Sequence, residues 1–213
     1  MNFANLIDRV ADAPIFETSL LFAGEVDPFE VRKQLSRWVA AGKIYQLRRG
    51  LYSLAPPYQK VNPHPFLVAN ALQHGSYVSL QSALAFYDLI PERVPMTTSV
   101  TTGRPLLQKT HLGEYQFHHI RSDWFQGCSK IDLAPGQAAF VATPEKALLD
   151  LIYLEPHSDN PAYLQELRLQ KMERLNLEQI HQLVLNAHKP KLARAYEEIC
   201  RLTLEQISGY ETL

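Results

Sequence analysis

The sequence predicts an α+β protein in two parts: a small N-terminal unit that closes with a basic hairpin, and a larger mixed α/β part that ends in helix. Three observations predict it. Gly42–Leu54, GKIYQLRRGLYSL, contains two strand-like runs, Ile44–Arg48 and Leu51–Leu54, separated only by Arg49-Gly50, and so reads as a hairpin with a guanidinium at its tip. Pro56, Pro57 and Pro63 fall within eight positions, which neither helix nor central strand tolerates, so an extended linker is expected there. Beyond it, β-branched runs alternate with capped helices, and from about residue 162 the pattern is purely helical. These features divide the chain into residues 1–57, a winged helix-turn-helix by element order, and residues 58–213, mixed α/β to about 155 with a helical tail over 162–213.

Each element has a local cause. Phe3, Leu6, Ile7 and Val10 form one helical stripe over residues 3–11, closed by Ala13-Pro14. Residues 15–23, IFETSLLFA, read as a second short helix ending at Gly24. Asp27-Pro28 supplies an N-cap and a first-turn proline, and Glu30 completes a capping-box pattern. The helix it opens runs to about Ala41 and stops at Gly42, with Val31, Leu35, Trp38 and Val39 on its core-facing arc. In the second part, helices are expected over Pro65–Gln73 and Ser79–Asp88, the latter capped by Ser79. Thr97–Thr102, Gly113–Ile120 and Ala138–Ala142 read as strands. Thr143-Pro144 opens a helix over 144–154 whose apolar side is Ala147, Leu148, Leu151 and Ile152. Helices over about 162–173, 177–188 and 191–207 complete the chain.

Composition bounds the function. With 46% hydrophobic residues, 20% charged residues and 9 glycines in 213, the chain is an ordinary folded one, not a disordered one. No apolar run reaches the length of a membrane span, and the N-terminus lacks the pattern of a secretory signal. Cys128 and Cys200 lie far apart and outside any CxxC, which suits a reduced, cytoplasmic protein. The overall charge of -1 hides a concentration of cations: between Pro28 and Gly50, Arg32, Lys33, Arg37, Lys43, Arg48 and Arg49 face the single acid Glu30. A local basic surface on a near-neutral chain is the footprint of limited phosphate neutralisation.

The candidate contacts to double-stranded DNA are Lys33, Ser36 and Arg37 from the third helix and Arg48 and Arg49 from the hairpin. Arg37 is suited to fork onto a guanine edge and Lys33 to meet phosphate. No catalytic, cofactor-binding or metal-binding residue is assigned. His118-His119 are neighbours on a strand and point to opposite faces, so a packed or hydrogen-bonded role is expected rather than a shared metal. Glu145, Lys146 and Asp150 share one helix, but the first two fall in its first turn, where an acid suits the helix dipole, and no nuclease spacing is complete. No P-loop, dinucleotide fingerprint or nucleophile elbow is present. Arg104, Lys109 and Arg121 are candidates for a modest further basic surface, with ordinary loop charge as the simpler reading.

The chain resembles the AbiEi family of antitoxins, from bacterial abortive-infection (phage defence) systems of the type IV toxin–antitoxin class. The resemblance rests on GKIYQLRRGLYSL and, in the second part, on Tyr77–Glu92 (YVSLQSALAFYDLIPE), Thr98–Pro105 (TSVTTGRP), Phe117–Ile120 (FHHI) and Val141–Leu154 (VATPEKALLDLIYL). It implies a winged helix that binds inverted repeats in its own promoter and represses transcription. It further implies a second domain that opposes a nucleotidyltransferase-like toxin without a stable complex. Two other classes stay open: a nucleic-acid-processing enzyme delivered by the winged helix, and a ligand-responsive winged-helix regulator without antitoxin activity.

Overall fold

The computed structural model describes residues 2–10, 12–22, 27–92 and 94–210. It is a mixed α/β structure with, among the described residues, eight α-helices and two sheets. The N-terminal unit runs α1 (Phe3–Val10), β1 (Phe16–Glu17), a 3-10 turn (Thr18–Phe22), α2 (Pro28–Ala40), β2 (Ile44–Arg48) and β3 (Leu51–Leu54). Its sheet is antiparallel in the order β1-β3-β2. Asp27 caps α2 by accepting the Phe29 N–H at 2.8 Å, and Pro28 occupies the first turn. Glu30, expected to close a capping box, pairs with Lys33 instead. Leu6, Val10, Leu21, Val31, Leu35, Trp38, Ile44 and Leu54 gather into a compact hydrophobic cluster.

The helix expected over residues 15–23 is replaced by β1 and the 3-10 turn, and its expected stop at Gly24 lies outside the described residues. The cause is a long-range partner: Phe16 pairs with Tyr52 across the sheet, and the Thr18 N–H reaches the Gly50 carbonyl at 2.9 Å. Ladder bonds to a strand more than thirty residues away outweigh a weak local helical preference. The proline-rich segment after β3 is also tied down rather than free. The Tyr58 ring packs edge-on against Phe3, and Gln137 accepts the His64 N–H at 2.7 Å while donating to the Asn62 carbonyl at 3.0 Å.

The second part contains α3 (Pro65–Leu72), β4 (Ser76–Val78), α4 (Leu80–Phe86), β5 (Met96–Thr101), β6 (Leu106–Thr110), β7 (Gly113–His119), β8 (Cys128–Ala134), β9 (Gln137–Ala142), α5 (Pro144–Leu154), α6 (Pro161–Glu166), α7 (Leu177–Ala187) and α8 (Pro190–Tyr210). Its strands run β6-β7-β5-β4-β9-β8, with β5/β7 and β4/β9 parallel and the other pairs antiparallel. Three of these strands are not signalled by the sequence. β4 has three residues, and β6 and β8 are half-exposed sheet edges without a strong apolar alternation. Cys128 and Cys200 carry free thiols. No helix among the described residues is long and apolar enough to cross a membrane.

α5 departs most from expectation. It is not one-sided: Glu145 through Ile152 are all buried. Lys146 and Asp150, one turn apart, have no solvent exposure and form an ion pair. The other carboxylate oxygen of Asp150 accepts Ser79 Oγ at 2.7 Å and the Tyr77 hydroxyl at 3.1 Å. The Lys146 ammonium also sits 4.1 Å from the centre of the Trp124 ring. Burial pushes the Asp150 carboxyl up and the Lys146 amine down, and their mutual attraction opposes both shifts. Ser79, expected to cap α4, makes no cap bond because its hydroxyl is taken by Asp150. Gly127 passes so close that a Cβ there would lie 3.1 Å from the Lys146 side chain, at a φ of +72° that already favours glycine. Removing one partner alone leaves a buried, unpaired charge. Lys146→Met is therefore expected to cost about 3–5 kcal/mol in urea denaturation. The double variant Lys146→Met/Asp150→Asn, which keeps an acceptor for Ser79 and Tyr77, should be less damaged than the sum of the singles by more than about 1 kcal/mol.

Candidate nucleic-acid interface

Helical periodicity places Phe29, Lys33, Ser36, Arg37 and Ala40 on one face of α2, opposite the buried Val31, Leu35 and Trp38. Trp38 is core: it is buried and meets Phe3 edge-on at 5.3 Å. On the outer face, Lys33 pairs loosely with Glu30 at 3.4 Å, an exposed contact of little energy that a phosphate can displace. Ser36 donates back to the Arg32 carbonyl at 3.0 Å, and the Arg32 guanidinium lies 5.8 Å from the Phe22 ring. Arg37 is exposed and has no ion pair or hydrogen bond from its side chain to any described residue. Phe29, at the start of the helix, is 68% exposed. Phe29 is not among the polar groups expected to contact DNA; its four-residue spacing to Lys33 is the signal in the sequence that places it on the same face. An exposed ring there can meet a thymine methyl.

The hairpin carries its two arginines to different destinations. Arg49 stands exposed at the turn, next to Gly50 at φ +83°. Between Gln46 and Arg48 the register slips by one residue, a bulge that re-aims the end of the strand. Arg48 is thereby turned into the molecule and is half-buried. Its Nε donates to the Ala71 carbonyl at the end of α3 (3.0 Å), its Nη1 to the Arg49 carbonyl (3.1 Å), and its Nη2 meets His74 at 2.8 Å and Glu17 at 3.4 Å. Of the five residues expected to contact DNA, Lys33, Ser36, Arg37 and Arg49 are exposed, whereas Arg48 is committed within the protein.

The hairpin belongs to both parts of the chain. Ile44, Tyr52 and Leu54 join the N-terminal cluster, while Leu47 and Leu51 join the larger core. Gln108 from β6 donates to the Leu47 carbonyl at 3.3 Å, and the Tyr45 and His111 rings meet at 4.5 Å. The angle of the hairpin is therefore set by the second part of the chain through Arg48, Gln108 and this packing.

The other candidate residues go elsewhere. His119 is exposed and hydrogen-bonded to the Gly103 carbonyl at 2.9 Å, while His118, on the opposite face of β7, lies half-buried against a cavity. Among the described residues, no group of three or more His, Cys, Asp or Glu side chains is arranged to hold a metal ion. Glu145 is buried and accepts the Asn176 N–H at 2.9 Å. Lys109 and Arg121 are paired with Glu114 and Asp123, each at 2.7 Å, which weakens any extended basic surface.

No family model matches the chain, and neither does any curated protein sequence. Among solved structures, the chain is similar to the Rv2827c protein of Mycobacterium tuberculosis, with a TM-score of 0.56 and 14% identity, covering 92% of this chain and 76% of that one. At this identity the likeness concerns the fold. The different duties of the two hairpin arginines have a measurable consequence: Arg48→Met is expected to lower stability by about 1–3 kcal/mol in urea denaturation. Arg49→Ala should stay within about 0.5 kcal/mol of the parent.

Proposed function

We propose that residues 1–57 form a winged helix-turn-helix and that the chain is a DNA-binding autorepressor and antitoxin of the AbiEi type. In this reading α2 enters the major groove of promoter DNA carrying inverted repeats, and the β2–β3 hairpin lies along the backbone as the wing. The observation that carries the reading is the pairing of a cationic helical face with a basic hairpin tip within one small unit, with Arg37 and Arg49 exposed and their side chains unengaged by any described residue. The element order helix, strand, short helix, helix, hairpin supports it, as does the three-stranded sheet that closes the unit.

Each contact has a distinct task. Lys33 and Arg49 neutralise phosphate, Arg37 and Phe29 read base edges, and Ser36 keeps the helix face small enough for close approach. Arg48 acts as a positioning residue for the wing. The antitoxin role rests on the sequence resemblance: the second part of the chain opposes a nucleotidyltransferase-like toxin of an abortive-infection pair, without holding it in a stable complex.

Mobility shift on the DNA upstream of its own gene, at 50 and 200 mM salt, tests the DNA-binding role. Retardation is expected to weaken steeply over that roughly fourfold rise, and no retardation at the lower salt would sink the reading. Arg37→Ala should weaken binding by about 1–3 kcal/mol and relax base preference. Arg49→Ala should lower the slope of log affinity against log salt by about one. Arg48→Met should weaken binding with the slope unchanged, because a positioning residue releases no counterions of its own. Co-expression with the neighbouring toxin gene tests the second role: rescue of growth is expected, and uninhibited toxicity would refute it.

A further inference from the structure

We propose that β8 is a self-association edge: it pairs antiparallel with β8 of a second copy of this chain about a two-fold axis at Ile131, joining the two six-stranded sheets side by side. β8 is the last strand in the order β6-β7-β5-β4-β9-β8, so one side of it has no strand partner. Which of its backbone groups face that open side follows from β9. The Phe140 N–H is donated to Asn70 Oδ1 at the end of α3 at 2.6 Å, so it points away from β8. Phe140 is in register with Lys130, and in a non-hydrogen-bonded antiparallel pair both residues turn their N–H and C=O groups away from one another. Lys130, and two residues on Asp132, therefore direct these groups to the open side. Among the described residues no backbone group bonds to them there.

The side chains then select the register. A two-fold pairing of these groups can be centred on Lys130, on Ile131 or on Asp132. The first sets two lysines directly opposite each other and the last sets two aspartates so, and like charges in that position are destabilising. The Ile131 centre instead sets Lys130 of each copy opposite Asp132 of the other, and each such pair exchanges both of its N–H···O bonds. Lys130 and Asp132 are exposed and form no ion pair with a described residue. At the opposite edge of the sheet, by contrast, Lys109 is paired with Glu114 and Gln108 is spent on the Leu47 carbonyl. On the other face of the new pairing the two Ile131 side chains meet at the axis, in the closer of the two cross-strand spacings. Ile131 is half-buried against the larger core, so its remaining apolar surface is what its twin covers. Phe140, 50% exposed and in register with Lys130, flanks each ion pair.

A lysine and a bulge on an edge strand ordinarily discourage pairing. Here the bulge falls between Asp132 and Ala134, beyond the charge pattern, and confines regular pairing to the stretch that carries it. Of the registers open to that stretch, only one avoids opposing like charges. The same features thus reject slipped copies and accept the Ile131-centred one. The two-fold axis closes the assembly at two copies, because each β8 is used up by the other. The paired stretch is short, so the dimer is weak, with a dissociation constant on the order of 10–100 µM. The inference stands on β8 and not on the DNA-binding reading. A dimer without DNA affinity, or DNA binding by a chain that stays monomeric, tells the two apart.

Sedimentation velocity on the full chain should show a monomer–dimer equilibrium between about 10 µM and 1 mM. Lys130→Glu and Asp132→Lys, each at an exposed position, should each weaken dimerisation by about tenfold or more with an unchanged melting temperature. The double variant Lys130→Glu/Asp132→Lys should dimerise like the parent. An equimolar mixture of the two single variants should form a heterodimer, because both arrangements restore opposite charges across the axis. Amide exchange followed by NMR locates the edge. The Lys130 and Asp132 amides should gain protection as concentration rises, whereas the Ile131 amide, turned toward β9, should be protected throughout. A chain that stays monomeric up to about 1 mM overturns the proposal and leaves this edge to a strand of a different protein. It is equally overturned by a dimer that neither single charge reversal weakens, by a double variant that does not recover, or by protection that appears elsewhere than at Lys130 and Asp132.

Discussion

An ammonium and a carboxylate sealed from water hold the second part of this protein in register. Neither Lys146 nor Asp150 could be buried alone, because each isolated charge would cost several kcal/mol. Together, and with Ser79 and Tyr77 completing the acceptor shell of Asp150, they tie α5 to the end of β4 and the start of α4. The aromatic face of Trp124 and the bare backbone of Gly127 close the pocket around the lysine stem. A purely hydrophobic α5 would bury as much area with less directional preference. The ion pair instead admits one arrangement of strand, loop and helix.

The hairpin shows the same economy on a smaller scale. Alternation along β2 and β3 gives one face to the N-terminal cluster and the other to the larger core, so the strands serve as a wall between two hydrophobic interiors. The bulge before Arg48 swings that side chain back toward α3, leaving Arg49 alone at the tip. The pose of this hairpin is coupled to the second part of the chain by side-chain bonds and packing rather than by a free linker. This is a physical route by which the second part can set the presentation of the basic surface.

Much of the local structure was legible in residue order. Asp27-Pro28, Thr143-Pro144 and Asn176 start helices where their cap chemistry says they should, and Arg49-Gly50 turns the hairpin as its glycine requires. The outer face of α2, with Lys33, Ser36 and Arg37, was legible from the 3.6-residue period alone. Phe29 shares that period, but an apolar side chain carries no charge signal to mark it as part of the exposed face. The engagement of Arg48 was not legible: its partners Glu17, Ala71 and His74 lie 31, 23 and 26 residues away.

What the sequence by itself determined is therefore whatever a few neighbouring residues decide: helix starts and stops, the tight turn, and which arc of α2 faces outward. Those signals act within about one turn of chain, where capping bonds and periodicity suffice. Only the tertiary structure decided that Phe16–Glu17 is a strand, that β4, β6 and β8 complete a six-stranded sheet, and that a lysine and an aspartate on α5 are buried as an ion pair. Each of these depends on a partner supplied by a distant segment, and a backbone or charge takes such a role only once that partner is in reach.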